Sequence, residues 1–388
     1  MTGLHFNYKD IFRALRLGFS AKKVGMGMLG LLFGLAGYAI FSYLAHLSAG
    51  NDWVSIWEVY RLLPFPRPDL PFPWYSWLIY GLGALWLLVV MLVTGSAIAK
   101  VTFEQLRGNE FYEAQEGFRF AFKNAGAVLF SPLLIVAFIA LLVIAGIVLS
   151  AIGRIPYFGP IAVGLFSIPA FLVCLFIVYL LLVLFFTLLT GPSIVGAMGN
   201  DTFDTLFEVF SCVNEQPARL IWWTFLIALL AKTGSFLLGL GASLAGRIGS
   251  LVLTTFMRDS WQEMLAGASF IFKVSIPNWG FFAPLHKMLV VEANLYGLPS
   301  IYSYTFWTNP NWGVYIGAVL LSICAYAAGL MVLAYGLSVW FSGHVLSIAV
   351  LIKKKDDKNI LEVPEEEAEV IEPETPKEKG SPVATDNK

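Results

Sequence analysis

Asn200-Asp-Thr-Phe-Asp-Thr-Leu-Phe-Glu208 is a short amphipathic run that leads, through Pro217, into a long apolar stretch, and the chain holds two more junctions of this kind. One begins Asp10-Ile-Phe-Arg-Ala-Leu-Arg16, the other Asn109-Glu-Phe-Tyr-Glu-Ala-Gln-Glu116. Each is followed by enough apolar sequence for two crossings, since a hydrocarbon core about 30 Å thick takes roughly 20 apolar residues per helix. The recurrence predicts an all-α membrane protein: a six-helix transmembrane bundle made of three parallel units, each an amphipathic helix followed by a hairpin. Matching Gly108-Asn-Glu110 to Gly199-Asn-Asp201 with a one-residue gap aligns Glu116 with Glu208 and Phe118 with Phe210. Repeats in one orientation turn about an axis along the membrane normal, unlike inverted transporter repeats.

Composition carries the same message. Of 388 residues, 58% are hydrophobic and 13% charged, against about 25% charged in soluble domains, which excludes a water-soluble fold. The expected crossings are residues 24–47, 76–99, 125–152, 160–189, 220–244 and 314–351. The last is too long for one straight crossing and must tilt or project. Lys9, Arg13, Arg16, Lys22 and Lys23 precede the first crossing and Lys353, Lys354 and Lys355 follow the last. The positive-inside rule therefore puts both termini in the cytoplasm, with a bacterial inner membrane as the expected location. The first crossing is longer than a cleavable apolar region and is expected to stay as a signal anchor. Residues 1–355 form the polytopic domain. Residues 356–388 hold eleven acidic against four basic residues, and read as a disordered acidic cytoplasmic tail because so little apolar area cannot offset the entropy of ordering.

On the opposite side, Trp53, Ile56, Trp57 and Tyr60 share one face of an interfacial helix. Pro64-Phe-Pro-Arg-Pro-Asp-Leu-Pro-Phe-Pro73 is expected to be a stiff extended strap. Residues 245–313 are rich in aromatics and predict a helical cap on the outer surface, with one helix over 248–274 and another over 284–296.

The amphipathic helices are read with their large apolar residues inward: Tyr8, Phe12, Leu15 and Phe19 in the first, Phe111, Ala114, Phe118 and Phe122 in the second, Phe203, Phe207, Phe210 and Val213 in the third. Asn109, and Asn200 or Asp201, are expected to cap the second and third. The outer face of the first is basic and that of the third acidic, so Arg13 and Arg16 are expected to pair with Asp204 and Glu208 in a cytoplasmic collar. Gly27, Gly30, Gly34 and Gly37 form a small-residue stripe on the first crossing, and Ala318, Ser322, Ala325 and Gly329 a matching row on the sixth. Such stripes let backbones approach closely, here to pack first against last crossing or to meet another subunit. Pro132 and Pro169 are expected to shape the third and fourth crossings.

Chemistry-bearing residues are sparse. Lys232 stands about midway along the fifth crossing, where an ammonium costs at least roughly 2.5–3.5 kcal/mol unless it is paired, snorkels or serves a function. Asp259 and Glu263 lie one helical turn apart, with His286, Lys287 and Glu292 further on, but lack a defined acid–base partner. His5, His46, His286 and His344 show no metal spacing. Cys174, Cys212 and Cys324 avoid the long polar loops, so no disulfide is expected. There is no phosphate loop, and no nucleic-acid surface, cofactor or catalytic site is expected. The function expected is a non-enzymatic scaffold or accessory subunit of a membrane assembly, contacting lipids and other membrane subunits. The alternative is a transporter or channel for a small solute, lipid or ion with Lys232 near its path; a lipid-directed enzyme at the outer interface is a weaker third. Cysteines replacing Glu113 and Glu208 are expected to react with an impermeant reagent from the same side of the bilayer, and reaction from opposite sides would break the six-crossing count.

Overall fold

The computed structural model describes residues 4–66, 72–271, 287, 311–357 and 359–362, and helix is the only regular structure among them. In chain order the helices are α1 (Tyr8–Ile11), α2 (Ala14–Gly18), α3 (Ala21–Ser48), α4 (Trp53–Tyr60), α5 (Trp74–Arg107), α6 (Ala114–Lys123) and α7 (Ala125–Ile152). They continue as α8 (Phe158–Leu165), α9 (Ser167–Met198), α10 (Thr202–Glu215), α11 (Pro217–Met257), α12 (Asp259–Ile271) and α13 (Trp312–Asp356). Among these, α3, α5, α7, α9, α11 and α13 are long and apolar enough to cross a membrane. The chain thus has the architecture of a multi-pass membrane protein, with α1/α2, α6 and α10 as elbows that each precede a hairpin. At 1.5 Å per residue, α11 and α13 reach about 60 and 68 Å, roughly twice a hydrocarbon core.

Several boundaries differ from the sequence reading. The fourth crossing starts at Ser167, because the chain turns through Tyr157 at φ 63° and makes the separate short helix α8 around Pro160. Pro169 therefore sits in the first turn of α9, where a missing N–H costs nothing, while Pro132 in α7 and Pro192 in α9 are the interior prolines. The single helix expected over 248–274 is two: α11 carries the fifth crossing on to Met257, and Arg258 at φ 38° breaks it before α12. α12 lies back along α13, where the Ser322 hydroxyl donates to the Ala268 carbonyl at 3.3 Å and Tyr326 to Ile271 at 3.1 Å. The helix expected over 284–296, and Trp279, His286 and Glu292 with it, lie outside the described residues. So do residues 363–388 of the tail. The tail's root is packed rather than free, with Ile360 and Leu361 against the core.

The elbows correct the sequence reading of their faces in part: Val213 is buried as expected, and Leu15, Ala114, Phe118 and Phe210 pack partly against the core. The buried residues are Asp10, Ile11, Ala14 and Gly18 in α1 and α2, Gly117 and Ala121 in α6, and Thr205, Val209, Cys212 and Val213 in α10. Tyr8, Phe12, Phe19, Phe111, Phe122, Phe203 and Phe207 are exposed. Small side chains let an elbow lie tightly on the bundle: a Cβ at Gly117 would come within 2.8 Å of Val101. The large rings are left for the interface, where aromatics are favoured. The first elbow is also broken in two around Phe12–Arg13. α6 begins at Ala114, so Glu113 and Glu116 form its capping box and Asn109 lies outside it. Asp201 caps α10 by accepting from the Asp204 N–H at 2.9 Å.

Burial is concentrated where the crossings meet the elbows. It covers Leu92–Phe103 of α5 almost without a gap, the end of α9 from Thr187 to Ala197, and Ser338–Ile352 of α13. Backbones touch there through glycine: a Cβ at Gly18 would meet Val339 at 2.6 Å, one at Gly196 would meet Ala99 at 2.5 Å, and one at Gly95 would run into the Phe341 ring. The stripe on α3 is divided. Gly27 faces Ala334 of α13, while Gly30, Gly34 and Gly37 face Thr94, Leu87 and Trp86 of α5. On α13, Ala318 and Ser322 are buried where α12 lies against the helix, Ala325 and Gly329 are half-buried, and the first crossing meets the last further along, at Ala334.

At the strap end the arms separate. The most apolar stretch of α7 is 6% buried and that of α13 11%, against 50% for α5; among the described residues the α7–α8–α9 arm has no strap-end tie, while the first hairpin meets α12 through Arg61 and Phe270. Gly37→Ala drives a methyl into Trp86 and should lower stability by about 1–3 kcal/mol. Gly25→Ala, with open space around it, should be neutral or stabilise by up to roughly 1 kcal/mol. Thermal unfolding of both variants in one detergent checks the contrast.

Candidate functional site

Three groups of polar residues are held by the fold, and each is assembled from distant parts of the chain. The first lies in the packed elbow-end core. Lys23 opens α3 and is 0% exposed. Its ammonium donates to Gln105 Oε1 at 3.0 Å and Thr102 Oγ1 at 3.4 Å on α5. The Thr102 hydroxyl in turn lies 2.9 Å from Ser342 on α13. Ser338 donates to the Gly18 carbonyl at 2.8 Å and ties α2 to the same face. Both partners of Lys23 are neutral. Nearby on α13, His344 is fully buried with its ring edge on Trp340, and neither ring nitrogen has a hydrogen-bond partner. Ser96 and Thr224 also have buried hydroxyls without partners. In a low-dielectric interior such groups are costly, so this seam depends on tight packing around it.

The second group joins an elbow to the end of the last crossing. Lys355 Nζ lies 2.8 Å from Glu208 Oε1 of α10, and the thiol of Cys212 donates to the same oxygen at 3.6 Å. Burial, then the Glu208 charge, pushes the Cys212 thiol up to about 12. The thiol is thereby kept protonated and unreactive at neutral pH.

The third group is the strap at the opposite end. The Tyr38 hydroxyl donates to the Pro64 carbonyl at 3.0 Å, Ser42 to the same carbonyl at 2.5 Å, and Tyr43 to the Arg61 carbonyl. His46 Nε2 sits 3.1 Å from the Phe65 carbonyl, with Asn51 at 3.3 Å from its Nδ1. These pin the start of the strap, at Pro64 and Phe65, into the α3/α5 hairpin; its middle, residues 67–71, lies outside the described residues. Arg61 is buried at φ 55° with its guanidinium 4.0 Å over the Phe270 ring of α12 and 5.6 Å over Trp57. This cation–π contact joins the first arm to the third.

The residues singled out from sequence are not brought together. Lys232 is half-buried on α11, engaged by a neighbour. Arg13 pairs with the buried Asp10 at 3.4 Å, Arg16 and Asp204 are exposed, and Glu208 pairs with Lys355 of α13. Asp259 opens α12 and is exposed, apart from the three groups above. Among the described residues no three His, Cys, Asp or Glu side chains converge as a metal site would need. A shallow apolar groove of about 310 Å³, lined by Ala39, Ile40, Tyr43, Leu44, Leu47 and Trp53, holds no titratable group besides Tyr43. Sequence reasoning treated Lys23 and Lys355 only as topology markers and missed Asp10, Arg61, Thr102, Ser342 and His344. The polar spacing Ser338, Ser342, His344, Ser347 on the last crossing was the legible sign of a polar seam.

No family model, curated protein or solved structure matches this chain.

Replacing a buried charge by an apolar side chain of similar volume is often neutral or stabilising, whereas truncation leaves a cavity. Lys23→Met should therefore fold within about 1.5 kcal/mol of the parent, and Lys23→Ala should lose roughly 2–5 kcal/mol. Chemical unfolding in detergent measures both. A Lys23→Met protein as unstable as Lys23→Ala would show that the ammonium itself holds the seam.

Proposed function

We propose that this protein is a non-enzymatic scaffold or accessory subunit of a larger membrane assembly, and that its middle arm, α7–α8–α9, is the element it presents to other membrane subunits. The observation carrying this reading is the arm's exposure. Between residues 125 and 200 the only charged side chain is Arg154. Phe138, Leu141, Ile144, Val148, Phe171, Leu175 and Val178 are exposed along both helices. The arm is anchored by its elbow-end half, where α9 packs on α5 and α13. A rigid anchored base with a long apolar extension suits lateral docking of apolar segments, for which lipid is the resting cover.

Two further features support assembly over transport. The small-residue stripes are used inside the fold, which makes the base a fixed platform. Beside Lys232, Ala231 and Gly234 pack against α13 and Leu15, so that side of α11 is closed by protein, while Leu229 and Thr233 on the lysine's other side are exposed. Exposed Lys9, Arg16, Lys22, Arg119, Lys123 and Lys354 at the elbow end support a cytoplasmic placement of both termini, in a bacterial inner membrane, by the positive-inside rule.

Photo-crosslinking amino acids at Phe138, Ile144 and Phe171, activated in native membranes, test the reading. The expected result is one discrete protein adduct of the same mass from more than one of these positions. Adducts with lipid alone from all of them would sink it.

A further inference from the structure

The last crossing does not simply release its tail into water. α13 ends at Asp356, and the chain reverses at Asp357, whose φ of 53° lies in the left-handed region that Asp tolerates better than most residues. Lys353 holds the reversal, with Nζ 2.9 Å from the Asp357 carboxylate and 2.8 Å from its carbonyl oxygen. That contact keeps the Asp357 carboxyl below its ordinary value. A side-chain turn follows: Asn359 accepts from the Leu361 N–H at 3.2 Å and donates to Glu362 at 2.9 Å. It folds Ile360 and Leu361 back beneath the bundle, against the cluster of Ala99, Phe103, Ala197 and Val345 where α5, α9 and α13 meet. On the other side of the same helix end, Lys355 reaches Glu208 across 147 residues of sequence. The side chains of that pair are only 8% and 18% exposed.

We propose that residues 353–357 and 359–362 are an intramolecular clamp, which fastens the elbow α10 and the base of the middle arm to the last crossing and whose release parts that elbow from α13 as a conformational switch. Its two jaws are chemically different. Lys355 grips Glu208 by charge, and Ile360 with Leu361 covers the α5/α9/α13 junction by apolar contact. The apolar jaw depends on the chain reversal at Asp357, while Lys355 acts from the last turn of α13. α10 rides on the middle arm, where Tyr179 of α9 donates to Asn214 at 2.8 Å and Ser131 of α7 to the Thr202 carbonyl at 3.2 Å, so once the clamp lets go the elbow can part from α13 while it stays seated on α7 and α9. The segment running on from the clamp carries Glu365, Glu366, Glu367, Glu369, Glu372 and Glu374 with no basic residue among them. A load on that acidic stretch would be transmitted to the clamp within three residues. The inference does not depend on whether the middle arm has a protein partner.

Cys212 is a built-in reporter, since its thiol is buried directly behind Glu208. With Cys174 and Cys324 replaced by serine in the full chain, in lipid nanodiscs, its reaction with a maleimide mass tag at neutral pH reads opening of the clamp. The parent is expected to label slowly. Lys355→Glu, and separately Ile360→Asp with Leu361→Asp, are expected to label at least about tenfold faster, as local opening exposes and deprotonates the thiol. Glu208→Lys combined with Lys355→Glu restores the charge pair in reverse and should return slow labelling. A second reporter, Ala121→Cys in a Cys212→Ser background, is buried on α6 away from the clamp and should stay protected in every clamp variant. Cys212 labelling unchanged in both opening variants would overturn the clamp. Equal acceleration at positions 212 and 121 would also overturn it, because that is general loosening and not local release.

Discussion

Backbone-to-backbone approach at the elbow end is the constraint on which the rest of this structure depends. In a bilayer, apolar burial between helices gains little over lipid contact, so helices stay together through dense van der Waals packing and interhelical hydrogen bonds. This chain supplies that density with glycine and alanine placed opposite larger groups: Gly18 under Val339, Gly27 beside Ala334, Gly95 under the Phe341 ring, Gly196 on Ala99. Each is a contact between elements distant in sequence. Together they bring α2, α3, α5, α9 and α13 into one junction and leave the strap-end halves to find other partners.

The division of labour within the elbows follows from the same constraint. An amphipathic helix on a soluble protein buries its largest apolar residues, because water is the alternative. At a membrane edge the alternative for a phenylalanine is lipid, and close packing favours the smallest side chains inward. Hence α6 buries Gly117 and Ala121 while Phe122 faces out, and α10 buries Val209 and Cys212 while Phe203 and Phe207 face out. Charge then serves to fix where an elbow sits, as Glu208 of α10 against Lys355 of α13, while Asp10 and Arg13 pair within the first elbow.

Dense packing also makes the buried polar groups tolerable and specific. Lys23, Thr102 and Ser342 link three crossings by hydrogen bonds that water cannot easily replace. The strap end is held by different means. Carbonyls of the loop after α4 accept from tyrosine and serine hydroxyls, and the Arg61 guanidinium rests on aromatic rings. Among the described residues, the first and third arms are thereby tied at both ends, and the middle arm at one. That asymmetry sets the α7–α9 hairpin apart as a surface.

The helical class, the six long apolar segments and the three elbow positions were legible in the sequence by itself, because hydropathy length and breaker residues act locally: Pro217 begins α11, Asp201 caps α10, and about 20 apolar residues suffice for a crossing. Partner choice was not legible. The glycines of α3 were visible as a stripe, yet only the helix rotation decided that Gly27 meets α13 while Gly30, Gly34 and Gly37 meet α5. The inward face of each elbow was read only in part for a related reason: Val213, Phe118 and Leu15 do turn to the core, but periodicity identifies two faces without saying which of the large residues look toward protein and which toward lipid. Lys355 and Glu208, or Ile360 and the cluster around Phe103, stand far apart in the chain with no local signal joining them, and only the tertiary structure brings them together, the second through the reversal at Asp357.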